Sequence, residues 1–262
     1  RLEGLGERDR QLGGCILSGV GATLAARGRI AEALQTIAEV DAIGVSDGET
    51  AVAKGYVCYH AGLIRRGFET AELALRLAQS SGHLWTVVEA ENLKMLFQQC
   101  AGFPARIAEG EQQLKRATVI GNRYVIWSCL ARMGFPSWIQ GEFQSAVQSM
   151  RESIANAESF QIVWRYVDYC ALAEIQDTQD EDAAMEDTFR RAYDCEPAQS
   201  FGTGMVTALL FRARAMRGDA TALDLLRDPR VSTPVPSRPD RQGAYIAAVC
   251  AAEGLASLGL TK

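Results

Sequence analysis

One turn signature recurs along this chain: a glycine closes an apolar stretch, and an Ala- or Leu-rich stretch opens directly after it. It occurs at Gly28, Gly67, Gly102, Gly141, Gly218 and Gly259. The separations are 39, 35, 39, 77 and 41 residues, so the long gap spans two periods of roughly 38, and Thr178-Gln179-Asp180 stands where a further glycine would fall. A fixed period of about 20 to 50 residues marks stacked supersecondary units. Each unit of such an array packs mainly on its neighbours, which predicts one elongated domain over residues 1–262 without a single central core.

The periodicity between turns is helical. Trp127, Leu130, Ala131, Gly134 and Trp138 follow the i, i+3, i+4, i+7, i+11 rhythm, and Val163, Tyr166, Val167 and Cys170 begin it again. Second members behave alike, as in Ile30, Ala33, Leu34 and Ile37, and in Ala71, Ala74, Leu75 and Ala78. Alternating runs bounded by hairpin dipeptides are missing, which argues against strands. The expected fold is all-α, with helix pairs at 12–26 and 30–42, 49–65 and 69–80, 84–100 and 104–119, and 123–139 and 143–158. Pairs at 162–177 and 181–195 and at 202–217 and 219–227 follow, and a lone helix at 241–258 ends the array.

Proline and cysteine refine this scheme. Four of the seven prolines fall within 228–240, and proline removes a backbone donor and restricts its predecessor, so this segment reads as a Pro-rich connector. Pro136 sits inside a strong helical pattern and is expected to bend it. Rings recur where first helices open, at Trp85, Trp127 and Trp164, and should fill seams between units. Cys58, Cys170 and Cys250 each precede Gly67, Gln179 and Gly259 by nine residues, an equivalent site for a small buried side chain.

Function classes can be narrowed from the same residues. A net charge of −5 without a Lys/Arg cluster argues against direct nucleic-acid binding. No stretch reaches the roughly 20 apolar residues that cross a bilayer, and a signal-peptide pattern is missing, so a cytoplasmic protein is expected. Neither histidine, His60 or His83, stands in a metal-binding spacing, and no C-x-x-C pair occurs, so no metal is expected. Gly13-Gly14, Gly19-Val20-Gly21 and Gly202-Thr203-Gly204 lack both the G-K-[ST] and the preceding strand of a phosphate cradle. With no G-x-S-x-G elbow and no placed base for a cysteine nucleophile, no catalytic residue, cofactor or enzyme activity is expected.

Two units resemble the tetratricopeptide repeat. Val20-Gly21, Leu24, Gly28-Arg29-Ile30 and Ala33 match its small, apolar and turn positions, as do Met133-Gly134, Gly141-Glu142-Phe143 and Ala146. Other units depart: His60, Met95, Leu172 and Phe211 replace the small glycine, and the period exceeds the standard one. The longer spacing, with Ser81-Gly82-His83, Ile120-Gly121-Asn122 and Glu158-Ser159-Phe160 between units, is similar to the helical region of LuxR-type, MalT-like bacterial transcriptional regulators and related signalling ATPases. The resemblance implies a right-handed superhelical solenoid of about six antiparallel pairs plus a terminal helix. It also implies a regulatory segment that receives a protein, peptide or small effector on the inner face of its first helices.

Counting back 13, 10, 6 and 3 residues from each turn, as the repeat implies, nominates Glu89, Asn92, Leu96 and Gln99. The same count nominates Phe135 and Trp138, Tyr166 and Tyr169, and Arg212. Rings supply contact area and amides supply orientation for such a ligand. A small-metabolite receptor attached to a signalling ATPase or nucleotide cyclase is the second reading, and an α/α-type enzyme the last.

Overall fold

A computed structural model describes residues 6–101, 107–197, 204–228 and 242–260. Every regular element among them is helical: α1 Glu7–Ala26, α2 Ile30–Ile43, α3 Gly48–His60, α4 Ile64–Ser81, α5 Leu84–Cys100 and α6 Ile107–Ile120. There follow α7 Arg123–Ile139, α8 Phe143–Ser159, α9 Arg165–Thr178, α10 Asp182–Cys195, α11 Met205–Met216, a 3₁₀ helix over Ala220–Arg227, and α12 Gln242–Ser257. The all-α expectation therefore holds. The proline-rich connector lies outside the described residues apart from Asp228. Among the described residues no helix is long and apolar enough to cross a membrane.

One backbone device ends the first helices whose turns are described, the turn expected at Gly102 lying outside the described residues. The residue after the turn donates to a carbonyl five positions back, as in Arg29 to Leu24 (2.9 Å), Leu63 to Cys58 (2.9 Å), Glu142 to Ser137 (2.8 Å), Glu181 to Gln176 (3.0 Å), Asp219 to Arg214 (3.1 Å) and Leu260 to Leu255 (2.9 Å). These bonds satisfy the carbonyls that a helix end leaves unpaired, and they require a left-handed residue between. That residue is Gly28, Gly62, Gly141, Asp180, Gly218 or Gly259, at φ between 58° and 79°. Asp180 fills the expected gap in the glycine series, because aspartate tolerates the left-handed region better than most side chains.

The second turn is Gly62, not Gly67. Gly67 lies inside α4, where a Cβ would stand 2.0 Å from the tip of the Phe97 ring. Its glycine serves close packing rather than backbone reversal, and the two uses look alike in a sequence. The α3–α4 turn accordingly moves to residues 61–63, and Cys58, Cys170 and Cys250, standing four, ten and nine residues before their left-handed residues, share no single address, although all three are buried. Pro136 is accommodated within α7, which runs unbroken from Arg123 to Ile139.

The chain divides into two compact units, Arg1–Cys129 and Leu130–Lys262. In the first, α1 packs on α2 and α3, and α3 on α4 and α5, so consecutive first helices touch one another. Its core is a succession of small clusters: Ala25, Ile30, Ala33, Ile37 and Val57; then Ala51, Val52, Ala74 and Ala90; then Cys58, Ala71, Leu93 and Phe97; then Val88, Ala117, Val125 and Cys129. In the second, α9 packs on α8, α10 and α11, and α11 on α12. Met150, Tyr166, Ile175, Phe189 and Leu209 anchor its larger cluster. Trp127 is buried and Trp164 packs on this cluster, but Trp85 is 47% exposed and fills no seam.

Candidate recognition surface on the first helices

In the first unit a polar network ties three consecutive first helices together. The Tyr56 hydroxyl of α3 donates to Glu89 Oε2 of α5 at 2.7 Å, and Asn92 Nδ2 of α5 donates to the same hydroxyl at 3.1 Å. Asn122 closes the network, its Nδ2 donating to Glu89 Oε1 at 2.7 Å while its Oδ1 caps α7 by accepting from the Val125 amide at 3.0 Å. A helix cap thus doubles as the anchor of a carboxylate on the neighbouring first helix. Burial pushes the Glu89 carboxyl up, against the lowering effect of its bonds from Asn122 and Tyr56. Burial, followed by the neighbouring Glu89, pushes the Tyr56 phenol well above its ordinary range. Tyr124 stands edge-on to Tyr56, with ring centroids 5.8 Å apart, and Trp127 lies 5.4 Å beyond it.

Of the residues nominated on α5, Glu89, Asn92, Leu96 and Gln99 share one face. Asn92 is fully buried and the other three are partly buried. Tyr56 and Asn122 were missed by the sequence count. Tyr56 lies six residues before Gly62, so the misplaced turn hid it, and Asn122 sits in a linker that the count does not reach.

In the second unit Phe135 and Trp138 stay partly exposed at the edge of the core, their rings 6.3 Å apart. Tyr166 and Tyr169 do not join them at a surface. Tyr166 is 0% exposed and Tyr169 6%, with the Tyr169 hydroxyl donating to Glu158 Oε1 at 2.6 Å. The cause is a one-residue slip, since the left-handed residue is Asp180 and not Gln179. Counted from Asp180, the four positions are Val167, Cys170, Glu174 and Asp177.

Those acids meet arginines of α11 and of its C-terminal cap. Arg212 donates to Glu174 of α9 and also lies 3.5 Å from Glu253 of α12. Arg217 pairs with Asp177, and its Nη2 lies 2.7 Å from Asp182. Arg214 grips Glu186 of α10 with Nε and Nη2 at 2.6 and 2.5 Å. Glu174, Arg212 and Glu253 each stand six residues before a left-handed turn residue, so they form a column at one repeat address. Burial raises the Glu174 carboxyl, and Arg212 opposes that shift.

His60 is buried edge-on against Tyr59, with centroids 5.3 Å apart, and desolvation lowers its pKa to about 4. Among the described residues no group of three or more His, Cys, Asp or Glu is placed to hold a metal ion. No protein-family model matches the chain, and no curated protein matches it in sequence.

Proposed function

We propose that this chain is a non-catalytic helical-repeat domain that recognises a protein, a peptide or a small effector. We further propose that it acts as the sensor section of a cytoplasmic bacterial regulator of the LuxR, MalT-like type. The observation that carries the first part is one address on several first helices: Tyr56 in one unit, and Phe135, Glu174, Arg212 and Glu253 in the other, all six residues before a turn. Within each unit, stacked helices hold such side chains at fixed spacing, and rings combined with guanidinium and carboxylate groups supply area and orientation to a ligand. Support for the second part is the spacing of 39, 38 and 41 residues from Gly141 through Asp180 and Gly218 to Gly259, longer than a standard tetratricopeptide unit.

The recognition reading is tested by selecting peptides on the immobilised chain and measuring their affinity for Gln99→Ala and Trp138→Ala. Weakening of roughly tenfold in either variant, with helicity by circular dichroism retained, is expected. Equal affinity in both variants removes the first helices from recognition. The regulatory reading is tested on the genomic coding sequence around the chain, which should encode an ATPase or a helix-turn-helix domain in the same frame. A frame encoding neither overturns it.

A further inference from the structure

Along α1 runs a line of exposed side chains spaced three or four residues apart: Asp9, Leu12, Ile16, Val20, Thr23 and Arg27. That spacing keeps them on one side of the helix. Leu12, Ile16 and Val20 are 61%, 58% and 46% exposed, and among the described residues no other helix exposes three large apolar side chains. The Thr23 hydroxyl donates back to the Gly19 carbonyl at 2.9 Å, so its donor is already used within the helix. Asp9 at one end of the line and Arg27 at the other form no side-chain hydrogen bond or ion pair with a described residue.

The later first helices show what such a face does in this fold. Where both positions are described, the residue twelve before the left-handed turn is Thr50 in α3, Cys129 in α7, Asp168 in α9 and Val206 in α11, each 2% exposed or less. Two of these are bonded to the second helix of the preceding pair: Cys129 Sγ donates to Gln113 Oε1 of α6 at 3.4 Å, and Asp168 Oδ2 accepts from Ser153 of α8 at 2.9 Å. The same address in α1 is Ile16. Thus α1 leaves uncovered the face on which later first helices seat a neighbouring helix.

Charge selects the helix that fits. The line begins with an acid and ends with a base, while Glu7, Arg8 and Arg10 lie roughly a quarter-turn or more away around the helix. A second α1 lying parallel would set acid against acid and base against base. Lying antiparallel, it is complementary at both ends. Turned about a two-fold axis level with Ser18, the line falls on itself, with Asp9 opposite Arg27, Ile16 opposite Val20 and Leu12 beside Thr23 of the other copy.

We propose that α1 is a self-association surface: two copies of this chain pair α1 against α1 in antiparallel fashion, sealing Leu12, Ile16 and Val20 between them and joining Asp9 of each copy to Arg27 of the other. The line avoids Cys15, Ser18, Ala22 and Ala25, the positions thirteen, ten, six and three before Gly28, so the pairing does not depend on the recognition reading above.

Sedimentation of the whole chain from micromolar to near-millimolar concentration is expected to show a monomer–dimer equilibrium. Ile16→Glu should weaken the dimer by roughly a hundredfold or more, because two carboxylates would be buried at its centre. Asp9→Arg and Arg27→Asp should each weaken it roughly tenfold, since either one sets like charges against each other at both ends. Mixed in equal amounts, those two variants should form a heterodimer about as tight as the unaltered dimer, because every facing pair is again opposite in charge. All three positions are exposed, and an unchanged melting temperature of the dilute monomer confirms that the variants fold. A chain that stays monomeric at every concentration would give the face to another helix and overturn the proposal. So would a dimer that Ile16→Glu leaves intact, or a mixture that associates no more tightly than its two components.

Discussion

At the scale of single residues, two glycines five positions apart show what a sequence reveals and what it conceals. Gly62 at φ +69° reverses the chain, and a Cβ there meets nothing within 4 Å. Gly67 lies in a helix, yet a Cβ there would press on the fully buried Phe97 ring. The sequence shows that both positions are glycine, but only packing against a residue thirty positions away shows which of them is the turn. Gly62→Ala should cost about 1 kcal/mol, the penalty of a left-handed alanine. Gly67→Ala should cost more, about 2–3 kcal/mol, because Phe97 has no free space to retreat into. Urea unfolding of the two variants checks the order, and a reversed order would return the turn to Gly67.

At the scale of elements, helix positions were largely legible because apolar periodicity depends on each helix's own buried face. The ends of α7 and the start of α8 agree with the periodicity to the residue. The site was less legible, since assigning a residue to a surface needs the register of its turn. A slip of one position from Asp180 to Gln179 turned attention to Tyr166 and Tyr169, which are core, and away from Glu174 and Asp177. Asp180 carried a usable signal, because aspartate is enriched in left-handed turns. The Glu174–Arg212–Glu253 column has an energetic consequence for α9 and α11. The side chains of Arg212 and Glu174 are 26% and 22% exposed, between surface and buried pairs. Arg212→Met should therefore destabilise by roughly 1–3 kcal/mol, chiefly by leaving Glu174 unpaired and half-desolvated. Adding Glu174→Gln should restore much of that loss. A double-mutant cycle reads the coupling, and additive effects would mean that the pair is not formed in solution.

At the scale of the molecule, a period near 38 residues foretold that apolar faces are sealed by neighbouring helices, and the string of small clusters in the first unit matches that expectation. The division at Cys129 and Leu130 left no such trace. It falls within α7, whose apolar rhythm continues through it, and periodicity reports which face is buried rather than by how many partners. Each unit also holds a buried titratable group, and the two groups act in opposite senses. His60, in the first unit, has its pKa lowered to about 4 by desolvation, from an ordinary 6.5. Its contribution is complete above pH 6.5 and is lost as pH falls towards 4, because the unfolded chain takes up the proton first. Glu196, in the second unit, is raised from 4.5 to about 7 by burial, against the bonds it accepts from the Val206 and Gly204 amides at 3.4 and 3.1 Å. Its contribution is complete below pH 4.5 and is lost as pH rises towards 7. Each shift corresponds to about 3 kcal/mol at most across its window. Glu89 is raised as well and opposes His60 within the first unit, so each group must be isolated as the difference between a variant and the unaltered chain. In hydrogen exchange corrected for intrinsic rates, His60→Leu should lose less protection in α3 and α4 than the unaltered chain does between pH 6.5 and 4.5. Glu196→Gln should lose less in α10 and α11 between pH 5 and 7.5. A variant whose pH profile parallels that of the unaltered chain would show that its group is hydrated in the folded state, because only a desolvated group ties folding to its proton in this way.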